Sequence, residues 1–93
     1  MNRLVLTAIL VERAALRYTP AGLPALDLSL KHESTVTQDG QTRQVSMEIK
    51  ARAIGAITER LAKFEMGSEH GFAGFLGSQR NGRGVVFHVT ELD

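Results

Sequence analysis

A chain of 93 residues has room for one domain, since domains typically run to about 100–150 residues, and nothing along residues 1–93 marks a linker, a repeat or a second core. With 43% hydrophobic and 23% charged residues the composition is that of a folded globular protein, and no apolar run approaches the roughly 18–20 residues that span a bilayer. The absence of cysteine excludes a disulfide framework and a thiolate metal site, and a formal net charge of +1 excludes a uniformly polybasic surface, so any anion site must come from local clustering.

Met1 to Val11 lacks the small-residue cleavage site of a signal peptide, so the expected location is the cytoplasm. Leu4 to Val11 then alternates Leu4, Leu6, Ala8 and Leu10 with Val5, Thr7, Ile9 and Val11, the pattern of a strand buried on both faces. One small barrel cannot take both faces, and a homodimer is expected. After a loop holding Arg13, Arg17 and Tyr18 comes Thr19-Pro20-Ala21-Gly22, with Pro and Gly where a type I turn favours them. Leu26 to His32 alternates leucines against Asp27, Ser29 and Lys31, a half-exposed second strand.

Glu33 to Thr42 is polar and contains Asp39-Gly40, a hairpin signal. The third strand places Val45, Met47, Ile49, Ala51 and Ala53 on the core side and Gln44, Ser46, Glu48, Lys50 and Arg52 outside. Ile54, Ile57, Leu61 and Phe64 recur at spacings of three and four, which predicts a short amphipathic helix over about residues 54–64. Gly67 and Gly71 bracket a polar turn, and Phe72 to Ser78 and Val85 to Leu92 form two further strands joined by Gln79-Arg80-Asn81-Gly82-Arg83, whose Asn-Gly pair favours a type I′ hairpin.

Three strands, one helix and two strands is the element order of an all-β, five-stranded OB-fold Greek-key barrel with its helix between strands three and four. An SH3-like barrel, the nearest competitor, usually lacks that helix. OB-folds bind ligands on the face of strands two and three, rimmed by the loops between strands one and two and between strands four and five. Those places hold Arg13 and Arg17, then Arg43, Lys50 and Arg52, then Arg80 and Arg83. Such a basic stripe suits a phosphate backbone, and Tyr18 offers a ring on which a base can stack. The competing assignment is an ordinary solvated surface, with Lys50 and Arg52 paired to Glu48.

Asn2-Arg3-Leu4-Val5-Leu6, the run from Leu16 to Pro24, Leu30-Lys31-His32-Glu33-Ser34, and Gly74-Phe75 ahead of a basic Asn-Gly loop together resemble the primosomal replication protein N (PriB) family over nearly the whole chain. The resemblance implies a homodimeric OB-fold protein that binds single-stranded DNA, has no enzymatic activity and stimulates the PriA helicase at stalled forks. DnaT and the general single-stranded DNA-binding protein are further partners in some bacteria. Binding roles carry over to Arg13, Arg17, Arg80 and Arg83. Where well-known members have Arg after the His of strand two this chain has Glu33, and Ser46 stands where they have a strand-three Trp, so DNA binding is expected to be weaker or to run along another part of the surface.

No metal is expected from His32, His70 and His88, which lie in separate elements without ligand spacing. Phe64, Phe72, Phe75 and Phe87 are assigned to the core. No cofactor motif and no catalytic constellation is recognisable. A second non-enzymatic reading is a primosome adaptor that holds a helicase and touches DNA only incidentally, which Glu33, Ser46 and Glu48 on the same face favour.

Overall fold

The computed structural model describes residues 1–79 and 82–93. Its elements are β1 (Leu4–Arg13), a two-residue β2 (Arg17–Tyr18), β3 (Pro24–Gln38), β4 (Gln41–Ile54), α1 (Ile57–Ala62), β5 (Glu69–Ser78) and β6 (Val85–Leu92). The sheet runs β1-β5-β6-β4-β3, and β1 pairs back with β3, so the five long strands close on themselves. The β4–β6 contact, Ala51 to Phe87 and Arg52 to His88, is parallel, while the other ladders are antiparallel. This closed barrel with its single short helix before β5 is the OB-fold that the element order implied.

Period-two alternation sends Leu6, Ala8 and Leu10 of β1, Leu26, Leu28 and Leu30 of β3, Ala51 and Ala53 of β4 and Phe87 and Val89 of β6 into one core, joined by Phe72 of β5 and Leu61 of α1. The other face of β1 is not buried: Val5 is 67% exposed. The expectation of a first strand covered on both sides therefore fails within one chain. Beyond Ile9, which pairs with Lys31, β3 leaves β1, so the edge of Leu4 to Ala8 opposite β5 carries no strand among the described residues.

The hairpin signalled by Asp39-Gly40 forms, and the polar stretch of residues 33–42 around it is part of a long strand ribbon. β3 and β4 stay in register from Ala25–Ile54 out to Gln38–Gln41, and Asp39 and Gly40, both with positive φ (50° and 75°), close a two-residue turn. Backbone pairing, with a cross-strand hydrogen bond from Arg43 to Gln38, sustains it past His32, where the core has ended. Met47, expected inside, is 38% exposed for that reason. The helix is also shorter than its periodicity suggested. Ile54 still pairs with Ala25 in β4, and Gly55 at φ 96° breaks the strand before α1 starts. The turn at Thr19–Gly22 forms as expected, the Gly22 N–H donating to the Thr19 carbonyl at 2.8 Å.

β5 begins at Glu69, ahead of Gly71, because its first residues pair with β1. Gly74 is demanded by close approach: a Cβ there would overlap the His88 carbonyl oxygen of β6. Of the Asn81-Gly82 turn and Arg80, the residues Arg80 and Asn81 lie outside the described residues; Gly82 and Gly84 both take positive φ (77° and 72°).

Candidate nucleic-acid interface

The outward residues of β3, β4, β6 and β5 form rows across the barrel. Cross-strand pairing places Asp27, Arg52, His88 and Phe75 in one row, and Arg17, held by Asp27, extends it toward β2. Beside it Ser29 lies opposite Lys50 and Val86 opposite Gly77, with Ser29 and Val86 themselves buried. Between the rows lies an open cleft of ≈ 320 Å³, lined among others by Asp27, Lys50, Arg52, Gln79 and Val86.

At one end of the first row Phe75 and His88 stack, their ring centroids 4.7 Å apart and their planes 10° from parallel. Phe75 is 42% exposed, so an aromatic face is open to solvent. Gly77 makes room for the His88 ring: a Cβ at Gly77 would lie 3.0 Å from His88 Nε2. Burial, and then the nearby Arg52 charge, push the His88 imidazole below its ordinary 6.5, so it is neutral at physiological pH. The pair thus offers a flat, uncharged platform beside a cleft rimmed by Lys50 and Arg52.

The cations are engaged locally. Lys50 Nζ donates to Ser29 Oγ at 3.1 Å, and Arg52 Nε donates to Asp27 Oδ1 at 2.9 Å. The partner of Arg52 is therefore Asp27, not the Glu48 that sequence spacing offered. Arg17 reaches the same carboxylate, with Nε to Oδ2 at 3.2 Å and Nη2 to Oδ1 at 3.3 Å. Burial raises the Asp27 carboxyl, but hydrogen bonds from Arg52 and Arg17 outweigh it and hold the group below its ordinary value. Lys31 pairs with Glu33 at 3.7 Å.

Of the residues singled out in the sequence, the fold unites Arg17, Lys50 and Arg52 on this face. Arg83 is exposed in the β5–β6 hairpin, whose first residue, Gln79, lines the cleft. Arg80 lies outside the described residues. Three others point elsewhere. Arg13 is the last residue of β1, not a loop residue, and a register shift between Leu10 and Glu12 turns it opposite Leu28, where Nη1 donates to the carbonyls of Leu61 (3.1 Å) and Phe64 (2.6 Å) at the end of α1. Tyr18 follows Arg17 in β2, so the two leave opposite faces. Arg43 shares the face of Val45 and Met47, opposite Lys50, and donates to Gln38 Oε1 at 2.9 Å.

Phe75 and His88 were missed as site residues, and assigning Phe75 to the core is corrected here. A signal existed: Phe72 and Phe75 are three apart in one strand, so period two forbids both from facing the core. Phe72 is buried and Phe75 is outside.

A family model described as "Another single-strand binding protein family" matches residues 2–91. The replication restart protein PriB of Bordetella pertussis is 46% identical over 80 residues, 86% of this chain and 75% of that protein. Its namesake from Neisseria gonorrhoeae is 42% identical over 86 residues, 91% and 84% of the two chains. Among solved structures, PriB from Ralstonia solanacearum superposes with a TM-score of 0.92 at 34% identity, covering 100% of this chain and 96% of the other. The wild-type single-stranded DNA binding protein from Thermus aquaticus gives 0.77 at 29% identity, with 100% of this chain and 49% of that chain covered.

Proposed function

The chain belongs to the replication restart protein PriB family, and from that premise we propose that it binds single-stranded DNA on the outer β3–β4–β6–β5 face during replication restart, acting by binding without catalysis. The observation that carries this reading is the Phe75–His88 stack beside a cleft rimmed by Lys50 and Arg52. Aromatic faces hold unstacked bases whatever their sequence, while flanking cations neutralise phosphates. The working set is Arg17, Lys50, Arg52, Phe75 and His88, with Arg80 and Arg83 from the hairpin, whereas Arg13, Tyr18 and Arg43 serve elsewhere. Single strands are preferred to duplex, because the face is shallow and six-residue α1 is no reading head for a major groove.

The finer reading is that the protein stimulates the PriA helicase at stalled forks in the cytoplasm, with DnaT and the general single-stranded DNA-binding protein as further partners; family membership is its support. It works as a homodimer. The Leu4 to Ala8 edge, which carries no strand among the described residues although the His32 ring meets the Thr7 carbonyl, and the exposed Val5 support this, since a second β1 would continue the sheet there. Sedimentation equilibrium at micromolar concentration is expected to give twice the chain mass.

A second reading, a primosome adaptor with only incidental DNA contact, draws on Asp27, Glu33 and Glu48, acids that share the face with the cations. Fluorescence polarisation with labelled oligo-dT of increasing length at two salt concentrations separates the two. DNA binding predicts affinity that rises with length and falls with salt. Length-independent, salt-independent signals would leave the adaptor.

A further inference from the structure

Asp27 stands in the middle of the outer β3–β4 face with both carboxylate oxygens taken by guanidinium groups from two different strands. Arg17 of β2 presents Nε and Nη2 as a fork to the two oxygens, and Arg52 of β4 adds Nε to Oδ1. An anion between two like charges offsets their repulsion where they converge at one point. A guanidinium fork fits a carboxylate and a phosphate in the same way. All three side chains keep between 36% and 46% of their surface open to solvent, so an incoming anion can reach and replace the acid.

We propose that Arg17 and Arg52 form a seat for one backbone phosphate of single-stranded DNA, and that the chain fills this seat with its own Asp27 when DNA is absent. Asp27 is therefore an affinity-setting residue: a phosphate must displace it, and the displaced carboxylate stays nearby as a repelling charge. The inference rests on the single-stranded DNA reading above. It is specific to this trio, because Lys50 donates to the neutral Ser29 hydroxyl and not to an acid.

The magnitude follows from charge. Arg17, Arg52 and Asp27 together carry one net positive charge, and Asp27→Asn leaves two. One more counterion is then released on binding, which steepens the slope of log affinity against log salt by about 0.7 and tightens binding about fivefold at ~0.1 M salt. Asn preserves the size of the side chain, and position 27 faces outward, so the fold is expected to survive; a circular-dichroism melt confirms it.

The test is fluorescence polarisation with labelled oligo-dT over a salt series, using wild type, Asp27→Asn, and Asp27→Asn in an Arg17→Ala/Arg52→Ala background. Tighter, steeper binding by Asp27→Asn that disappears without the two arginines is the expected result. If wild type binds and Asp27→Asn binds equally or more weakly, Asp27 positions the arginines and does not compete; the seat is overturned while DNA binding stands. A gain that persists without Arg17 and Arg52 also overturns the seat, because it reports only a lost repulsion. Failure of wild type and variant alike to bind oligo-dT overturns this inference and the DNA-binding reading together.

Discussion

Replacing Phe75 by Ala separates a binding platform from a core residue. Phe75 keeps 42% of its surface exposed and its main described partner is the His88 ring at 4.7 Å, whereas Phe87, its neighbour in sequence pattern, is fully buried. Burying a whole Phe is worth about 1.5–3 kcal/mol, so a ring buried by little more than half should contribute roughly 1–2 kcal/mol to folding. Emptying a fully enclosed site such as that of Phe87 costs roughly 3–5 kcal/mol. Losing one base–aromatic stack, by contrast, costs about 1–3 kcal/mol of binding, roughly 5- to 150-fold in affinity. Phe75→Ala is therefore expected to bind oligo-dT far more weakly while its urea midpoint moves much less than that of Phe87→Ala, and Phe75→Trp should restore binding. A well-folded Phe75→Ala protein that binds as tightly as wild type would refute the platform. A stability loss equal to that of Phe87→Ala would return the residue to the core.

Gly74→Ala should be among the most damaging small substitutions, costing at least the ~1–3 kcal/mol of ordinary overpacking, because its Cβ meets the backbone carbonyl of His88 and no rotamer change relieves it. Gly77→Ala should cost less, since there the obstacle is the His88 ring, which can swing; equal urea midpoints for the two variants would contradict this geometry. The His88 ring, held neutral by burial and by Arg52, should titrate below 6.5 by NMR. The unfolded chain then binds the proton more readily, so this group makes stability rise with pH from its folded value up to about 6.5 and contribute nothing further above. The gap in urea midpoint between about pH 5 and about pH 7 should shrink in His88→Gln, and a ring that titrates at or above 6.5 would contradict the burial.

The core was legible because it obeys period two: Leu26, Leu28 and Leu30 alternate with polar residues, and β6 begins and ends where the apolar pattern does. Two boundaries were not legible. Ile54 fits the helical spacing of Ile57 and Leu61 but is claimed by the β4 ladder, and nothing in its own chemistry says which contact wins. Glu33 to Gln38 lacks core residues and so resembles a loop, yet a tight Asp39-Gly40 turn lets hydrogen bonding alone continue the strands. For the site, loop position was a poor guide to direction. Arg13 is turned inward by a register shift in β1, a backbone event that leaves no mark in the side-chain pattern. The Arg17–Asp27–Arg52 cluster joins residues far apart in sequence, and only the β3–β4 register brings Asp27 opposite Arg52.

The charge layout decides how the length and salt experiment must be weighed. On the outward side of β3 and β4, Lys31, Lys50 and Arg52 face Asp27, Glu33 and Glu48, and two of the three cations already touch an acid there. Arg17 adds one charge from β2, so the sheet face itself is close to neutral. Counterion release from such a face amounts to about one phosphate, a slope near 0.7, with any further steepness owed to the β5–β6 hairpin. On the proposed reading, most of the affinity then comes from stacking on Phe75 and His88 and, in the proposed homodimer, from a second copy of this face, where linking two weak sites raises avidity without new contacts. A shallow salt dependence is therefore what this surface predicts for genuine DNA binding, and it does not favour the adaptor. Length dependence carries the discrimination: a strand long enough to reach both faces of a dimer should bind disproportionately tightly, which incidental contact with a charged patch cannot produce.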